Sequence, residues 1–313
     1  MAGGRAGLSH VVLLSGGTGG AKLARGLLDV CHQLTVVANT GDDVEVHGVH
    51  VSPDPDLVTY WLADAIHPRG WGLRGDTSEV MDALRAAGRP VWFHLGDRDL
   101  AMCLVRTAAL RAGRRLTEAQ AEVADAMGVA ARVLPMSDEP VRTHVRHGGR
   151  VWPFQEYMIV AGAAPPVEGV TLEGISAARP TAEVLAAVAS CDLIVIGPSN
   201  PVTSIGPILA LPGMREAVAE APAPVLAVSP FVEGRVLKGP TEHFCEWAGV
   251  ERSARGIAGL YAELLDGLVA DEPVDELPCL VTSTLMDTAE RRQAVAREVV
   301  SFGERCARSR SSP

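Results

Sequence analysis

The residues able to do chemistry lie in short strings, most of them closing a hydrophobic run: SGGTGG (15–20), NTGDD (39–43), SPDPD (52–56), LGDRD (95–99), GPSNPVTSIGP (197–207) and SPFVEG (229–234). In the first, five residues from Gly16 to Gly20 separate a β-branched run from a helical one. Glycine lets the chain turn sharply and brings N–H groups close to a ligand, and a helix N-terminus behind them favours an anion. Gly17, Thr18, Gly19 and Gly20 are therefore expected to cradle phosphate, with Lys22 in reach. The string is not a Walker loop, because Ala21 and Leu23 replace the Gly and the Ser or Thr that loop needs. It is not GxGxxG either, because Lys22 takes the last glycine position. The competing use of the same glycines is a tight strand-to-helix turn.

Asp42, Asp43, Asp54 and Asp56 fall within a short span that has few histidines and no cysteine. Such a set suits a hard cation such as magnesium, and magnesium suits a phosphate substrate. One of the four is expected to cap the helix that follows and at least one to serve a site. Ser199, Asn200, Thr203 and Ser204 offer uncharged hydrogen-bonding groups on a proline-shaped loop. That loop fits a diphosphate or a base, or else packs on itself. His94 closes the run VWFHLG and either flanks a ligand or is structural. No GxSxG elbow occurs and no cysteine has an evident His partner, so covalent catalysis is disfavoured.

These loops need elements to hold them. HVVLLS (10–15), then a helical run, then LTVVANT (34–40) read as one βαβ unit with parallel strands and a right-handed crossover. Further strands are predicted at 91–96, 192–197 and 224–230. Helices are predicted at 76–87, 98–113, 117–127 (N-capped by Thr117), 181–189, 254–268 and 287–303. Alternation around HGG within 141–160 predicts a hairpin off the main sheet. The expectation is a doubly wound, Rossmann-like, mostly parallel α/β sheet in one domain over 8–306. An inserted helical and hairpin subdomain is expected at about 98–180, and a frayed tail at 307–313. Ligands of such sheets lie beyond the carboxyl ends of the strands, where the strings above fall.

With 28 basic and 38 acidic residues in 313, the net charge of −10 argues against binding nucleic acid or anionic membranes. The six cysteines include no CxxC, so buried reduced thiols are expected. Leu193 to Met214 carries no charge, but Pro198, Pro201, Pro207 and Pro212 make a spanning helix implausible. The N-terminal ten residues lack an apolar signal core, and a cytoplasmic location is expected.

SGGTGGAK, NTGDD, SPDPD, LGDRD, LPMSDEPVRT, GPSNPVTSIGP, LPGMR and AVSP, in this order, resemble the 2-phospho-L-lactate transferase family of coenzyme F-420 biosynthesis and its actinobacterial phosphoenolpyruvate transferase branch. The likeness covers about residues 10–300. It implies a lactyl- or enolpyruvyl-diphospho-guanosine donor, and as acceptor the deazaflavin 7,8-didemethyl-8-hydroxy-5-deazariboflavin (Fo). The acceptor hydroxyl attacks the phosphorus bearing the organic acid, GMP leaves and magnesium assists. It implies a Rossmann-like core with an insertion, and often a homodimer. By position Asp56 and His94 match deazaflavin contacts, and His94 stands where relatives carry Lys or another residue. Asp42, Asp43 or Asp56 would hold magnesium, with Asp56 the candidate general base. Ser199, Asn200 and Ser204 would bind the guanosine diphosphate portion. A related family of nucleotide-sugar-binding regulatory proteins shares the GGTG start but is expected to lack SPDxD with LGDRD. A nicotinamide dehydrogenase would need a third glycine and a ribose-binding acid.

Overall fold

Leu- and Val-rich runs with no polar face must be covered on both sides, and they form the middle of the sheet. The computed structural model describes residues 8–236 and 239–310. The strands are β1 (His10–Ser15), β2 (Gln33–Ala38), β3 (Val44–Val46), β4 (Val49–Val51), β5 (Arg132–Pro135), β6 (Arg142–His147), β7 (Arg150–Pro153), β8 (Gly169–Glu173), β9 (Leu193–Ile196), β10 (Val225–Val228), β11 (Phe231–Val232), β12 (Arg235–Val236), β13 (Gly267–Ala270) and β14 (Cys279–Val281). The helices are α1 (Gly17–Leu28), α2 (Pro53–Leu62), α3 (Glu79–Ala86), α4 (Asp97–Arg111), α5 (Leu116–Ala126), α6 (Phe154–Ile159), α7 (Ala182–Ser190), α8 (Ile205–Ala210), α9 (Met214–Ala219), α10 (Thr241–Ala248), α11 (Ala254–Leu260) and α12 (Ala289–Arg310).

Seven strands form one sheet in the order β14-β13-β10-β9-β1-β2-β5, and every pairing in it is parallel. The pleat sends Val11 and Leu13 to one face and Val12 and Leu14 to the other. On the first face they meet Leu23 and Leu27 of α1, Val58 of α2 and Val295 and Val299 of α12. On the second they meet Val184 of α7, Ile208 of α8, Val218 of α9 and Ile257 of α11. This is the doubly wound α/β architecture expected. The predicted hairpin is β6–β7, and β8 extends it to a three-stranded antiparallel sheet. The six cysteines are unpaired thiols, four of them buried. No helix among the described residues is long and apolar enough to cross a membrane.

Several local expectations are corrected. Residues 91–96 form no strand; Val91, Trp92 and Phe93 pack with Met81, Leu95 and the β3–β4 hairpin, so side-chain burial alone explains that apolar run. The helix predicted at 254–268 stops at Leu260, and Gly267 already belongs to β13. A short apolar run does not distinguish a buried helix end from a buried strand. Arg115, not Thr117, is the N-cap of α5, which begins at Leu116, and the Glu118 side chain accepts from the Arg115 N–H at 2.9 Å. Thr117 instead donates both its N–H and its hydroxyl to Asp138, each at 2.8 Å. The elaboration at 98–180 is not continuous, since β5 lies within it and pairs with β2 at the sheet edge. In the tail, 307–310 continue α12; 311–313 lie outside the described residues.

Candidate active site

The chain leaves β1 toward β2 on one side and returns to β9 on the other, so the loops after these three strands meet at a topological switch point. The glycines of the first loop open α1 itself. A Cβ on Gly16 would lie 2.6 Å from Cβ of Ser204, one on Gly19 2.0 Å from the Pro198 carbonyl oxygen, and one on Gly20 2.2 Å from Oγ of Ser15. The first turn of α1 is thus pressed onto the loop after β9, and close packing explains these glycines. The Gly16 N–H donates to Oγ of Ser199 at 3.3 Å. Thr18 is half-buried at the helix start.

The acids of the next two loops reach the same place. Neither Asp54 nor Asp56 caps α2, whose N-cap Ser52 also makes no side-chain cap bond. Asp54 crosses to α1 instead: one oxygen accepts from the Gly17 N–H at 2.6 Å and the other from Nδ2 of Asn39 at 2.9 Å. Asn39 also donates to the Thr203 carbonyl at 3.2 Å and accepts from the Gly41 N–H at 2.8 Å. One amide therefore ties the ends of β2, α2 and the 197–204 loop together. Sequence reasoning overlooked Asn39; its signal was an amide directly after a buried strand.

Asp42 and Asp43 are buried, and each keeps one oxygen with no hydrogen-bond partner. The hydroxyls of Ser15, Thr40, Ser52 and Thr143 are buried and unpartnered as well. Unpaired buried polar atoms are costly, and several in one region mark a place built for a ligand, ion or water. Burial, reinforced by the charge of Asp54, pushes Asp42 well above the ordinary carboxylate range. Burial likewise raises Asp54 to about 6, against the bonds from Asn39 and Gly17. His50 bridges Asp43 at 2.9 Å and Glu45 at 2.7 Å. Burial pulls His50 down, but these carboxylates outweigh it and the net shift is upward. A cavity of about 70 Å³ opens beside Thr40, Asp43 and His50.

Asp56 sits differently. Both of its oxygens accept from the fully buried Arg106, whose guanidinium also donates to Oε1 of Gln120 at 2.9 Å. This departs from the expectation of an available base or metal ligand, because the carboxylate is already occupied. Among the described residues, Asp56, Asp99 and Cys103 are the set of three whose ligand atoms lie within 4.8 Å of one another. Arg106 fills that set from one side, and the Tyr60 hydroxyl donates to Asp99 at 2.7 Å from another. Asp99 is raised to about 7, first by burial and then by Asp56. It reads as a closed hydrogen-bonded core.

The remaining predicted residues are placed as follows. His94 is exposed, with ring contacts to Oγ of Ser78 at 3.1 Å and to the Arg85 guanidinium at 3.3 Å. Oδ1 of Asn200 accepts from the Val202 and Thr203 N–H groups at 2.9 and 3.2 Å, folding its own loop. Ser199 and Ser204 line the contact with Gly16, Gly17 and Gly20. Nζ of Lys22 lies 6.0 Å from the Trp61 ring centre, toward α2. The acids that do gather, Asp42, Asp43 and Asp54, fit a hard cation through their donor set and the two unpartnered oxygens. They do not close into a three-ligand protein cage, the habit of magnesium that completes its shell with phosphate and water.

The fold and this crevice define a doubly wound α/β protein with polar groups gathered at the switch point of its sheet. Residues 11–297 match the family described as 2-phospho-L-lactate transferase CofD. A phosphoenolpyruvate transferase of Kitasatospora aureofaciens is 39% identical over 94% of this chain and 98% of its own length. A 2-phospho-L-lactate transferase of Methanosarcina acetivorans is 39% identical over 93% of this chain and 98% of its own. The crystal structure of protein BH3568 from Bacillus halodurans superposes with a TM-score of 0.56 at 18% identity, covering 92% of this chain and 90% of that one, a likeness of fold alone. The chain belongs to the 2-phospho-L-lactate transferase family, and its class is that of the transferases.

Proposed function

We propose that this chain moves a phospho-organic-acid group, 2-phospholactyl or enolpyruvyl phosphate, from a diphospho-guanosine donor to the side-chain hydroxyl of the deazaflavin Fo. The hydroxyl oxygen bonds to the phosphorus that carries the acid, the bond to GMP breaks, the hydroxyl proton leaves and a phosphodiester remains. The names of relatives 39% identical over nearly the whole chain support the substrate class. The observation that carries the site is the unpartnered oxygens of Asp42 and Asp43 beside the opening turn of α1.

Asp42, Asp43 and Asp54 would face the anionic donor, and in their ionised form they repel it unless a cation comes with it. Asp42 and Asp43 would hold magnesium. Bound there, the ion would neutralise the diphosphate and the charge that gathers on the departing GMP. The first-turn amides of α1 that Ser199 and Asp54 do not take, those of Thr18 and Gly19, would orient the donor phosphates together with Ser199 and Ser204. Asp54, raised to about 6 and bonded only to neutral donors, is the carboxylate poised to take the hydroxyl proton. Asp56 stays in its pair with Arg106 and fixes the first turn of α2.

The test is incubation with Fo, magnesium and each guanosine donor, followed by mass analysis. One donor should yield the Fo phosphodiester and stoichiometric GMP. Failure of every donor removes the proposal.

A further inference from the structure

A second concave site lies between α1, α2, the loop after α2 and the start of α12. It is a cavity of about 290 Å³ lined by Lys22, Trp61, Asp64, Arg74, Asp287 and Arg292 among others. None of these six residues belongs to the acid-rich crevice, since Lys22 turns to Trp61.

Its two acids are already bound. Asp64 accepts from Arg25 at 2.7 and 2.8 Å, and Asp287 accepts from Arg291 at 2.9 and 3.0 Å. Among the described residues neither Arg74 nor Arg292 has a carboxylate within ion-pair distance. The Arg292 guanidinium lies 5.0 Å and the Lys22 ammonium 6.0 Å from the Trp61 ring centre. Like charges thus crowd one recess of a protein whose net charge is −10. Burial, and then the charge of Arg25, hold Arg292 below its ordinary value. A second observation is independent of charge. Trp61 is only 9% exposed, and its indole N–H is buried with no hydrogen-bond partner. A buried donor left unpaired is expensive, and Trp61 lines the recess beside Lys22 and Arg292, so an acceptor there is the group that is missing.

We infer that this recess binds a compact organic dianion carrying phosphate or carboxylate groups, held by Lys22, Arg74 and Arg292 with the Trp61 N–H as a neutral donor. Its volume is at the small end of ligand pockets, too small for a nucleotide and sufficient for a phosphate ester or dicarboxylate of a few carbons. The site is separate from the donor crevice and does not depend on the proposed transfer.

The experiment is calorimetric and tryptophan-fluorescence titration of the full chain with inorganic phosphate, glycerol phosphate and malonate, each with and without saturating GDP. Saturable binding in the range of about 0.1–10 mM is expected, with a fluorescence change lost in Trp61→Phe. The variant Arg74→Gln with Arg292→Gln should weaken binding about tenfold or more while melting like the parent. The preferred probe distinguishes phosphate esters from carboxylates. No saturable binding, equal affinity in the double variant, or loss of binding when GDP is added would overturn the inference. A protein that fails to bind GDP would sink the transfer reading and leave this result intact.

Discussion

Two groups of buried acids flank α2, and they are handled in opposite ways. Asp56 meets Arg106, Gln120 completes the guanidinium's bonding and the hydroxyl of Thr59 accepts from Gln120 at 3.0 Å. In that group only Nε of Arg106 lacks a partner. Asp42 and Asp43 each keep an oxygen unpaired, in a crevice where several buried hydroxyls are also unmatched. A folded chain that pairs one set of buried charges and leaves another open has separated scaffold from site. The paired set holds α2, α4 and α5 together; the open set needs something from outside to complete it.

The comparison breaks most sharply at Arg106. Arg106→Leu leaves the Asp56 charge buried and alone, and unfolding in denaturant should show a loss of about 3–5 kcal/mol. Adding Asp56→Leu should recover much of that, because two apolar side chains leave no orphaned charge. A single variant as stable as the parent would mean the pair does not hold the scaffold.

Next in size is the wall of the crevice. Gly19→Ala puts a methyl group 2.0 Å from the Pro198 carbonyl. Something must shift, so stability should fall by about 1–3 kcal/mol and donor affinity should fall with it. An unchanged melting temperature would show that the α1 turn is not packed as described.

The smallest effect is the most specific. Asp54 titrates near 6 in the folded chain against 3.8 unfolded. An acid raised by folding is protonated more readily in the native state, so ionising it costs native stability. Through this group the metal-free protein should therefore be more stable at pH 5 than at pH 7.5, by on the order of 1 kcal/mol, the stability falling as pH rises from about 4 through 6. Turnover should run the other way and decline as pH drops through 6, because a protonated Asp54 accepts nothing. Asp54→Asn should remove its share of that slope, leaving the part that Asp42, Asp99 and His50 contribute, and abolish most of kcat. A variant that keeps wild-type kcat would return the base role to another group.

Much of the frame was legible in the residues. The runs at 10–15, 34–40, 192–197 and 224–230 have no polar face, are short, rich in β-branched residues and bounded by turn residues, which suits strands covered on both sides, so the layers and the rim that bears the loops followed. The motif order pointed to the family in the same way. The failures had a physical cause too. VWFHLG has the pattern of a strand but no neighbour to pair with, and GLVA (267–270) has the pattern of a helix end but a partner in β10. Local pattern records how much of a segment is buried, not what buries it.

The sequence by itself determined the fold class, the strand-end position of the polar loops and the acids that could meet there, because burial periodicity and residue chemistry are local. Only the tertiary structure decided that Asp54 faces α1 while Asp56 faces Arg106, that Gly19 is a packing glycine, and that Lys22 turns to Trp61. Each of these depends on a partner far along the chain or on the direction a helix face takes, and spacing along a strand of letters carries neither.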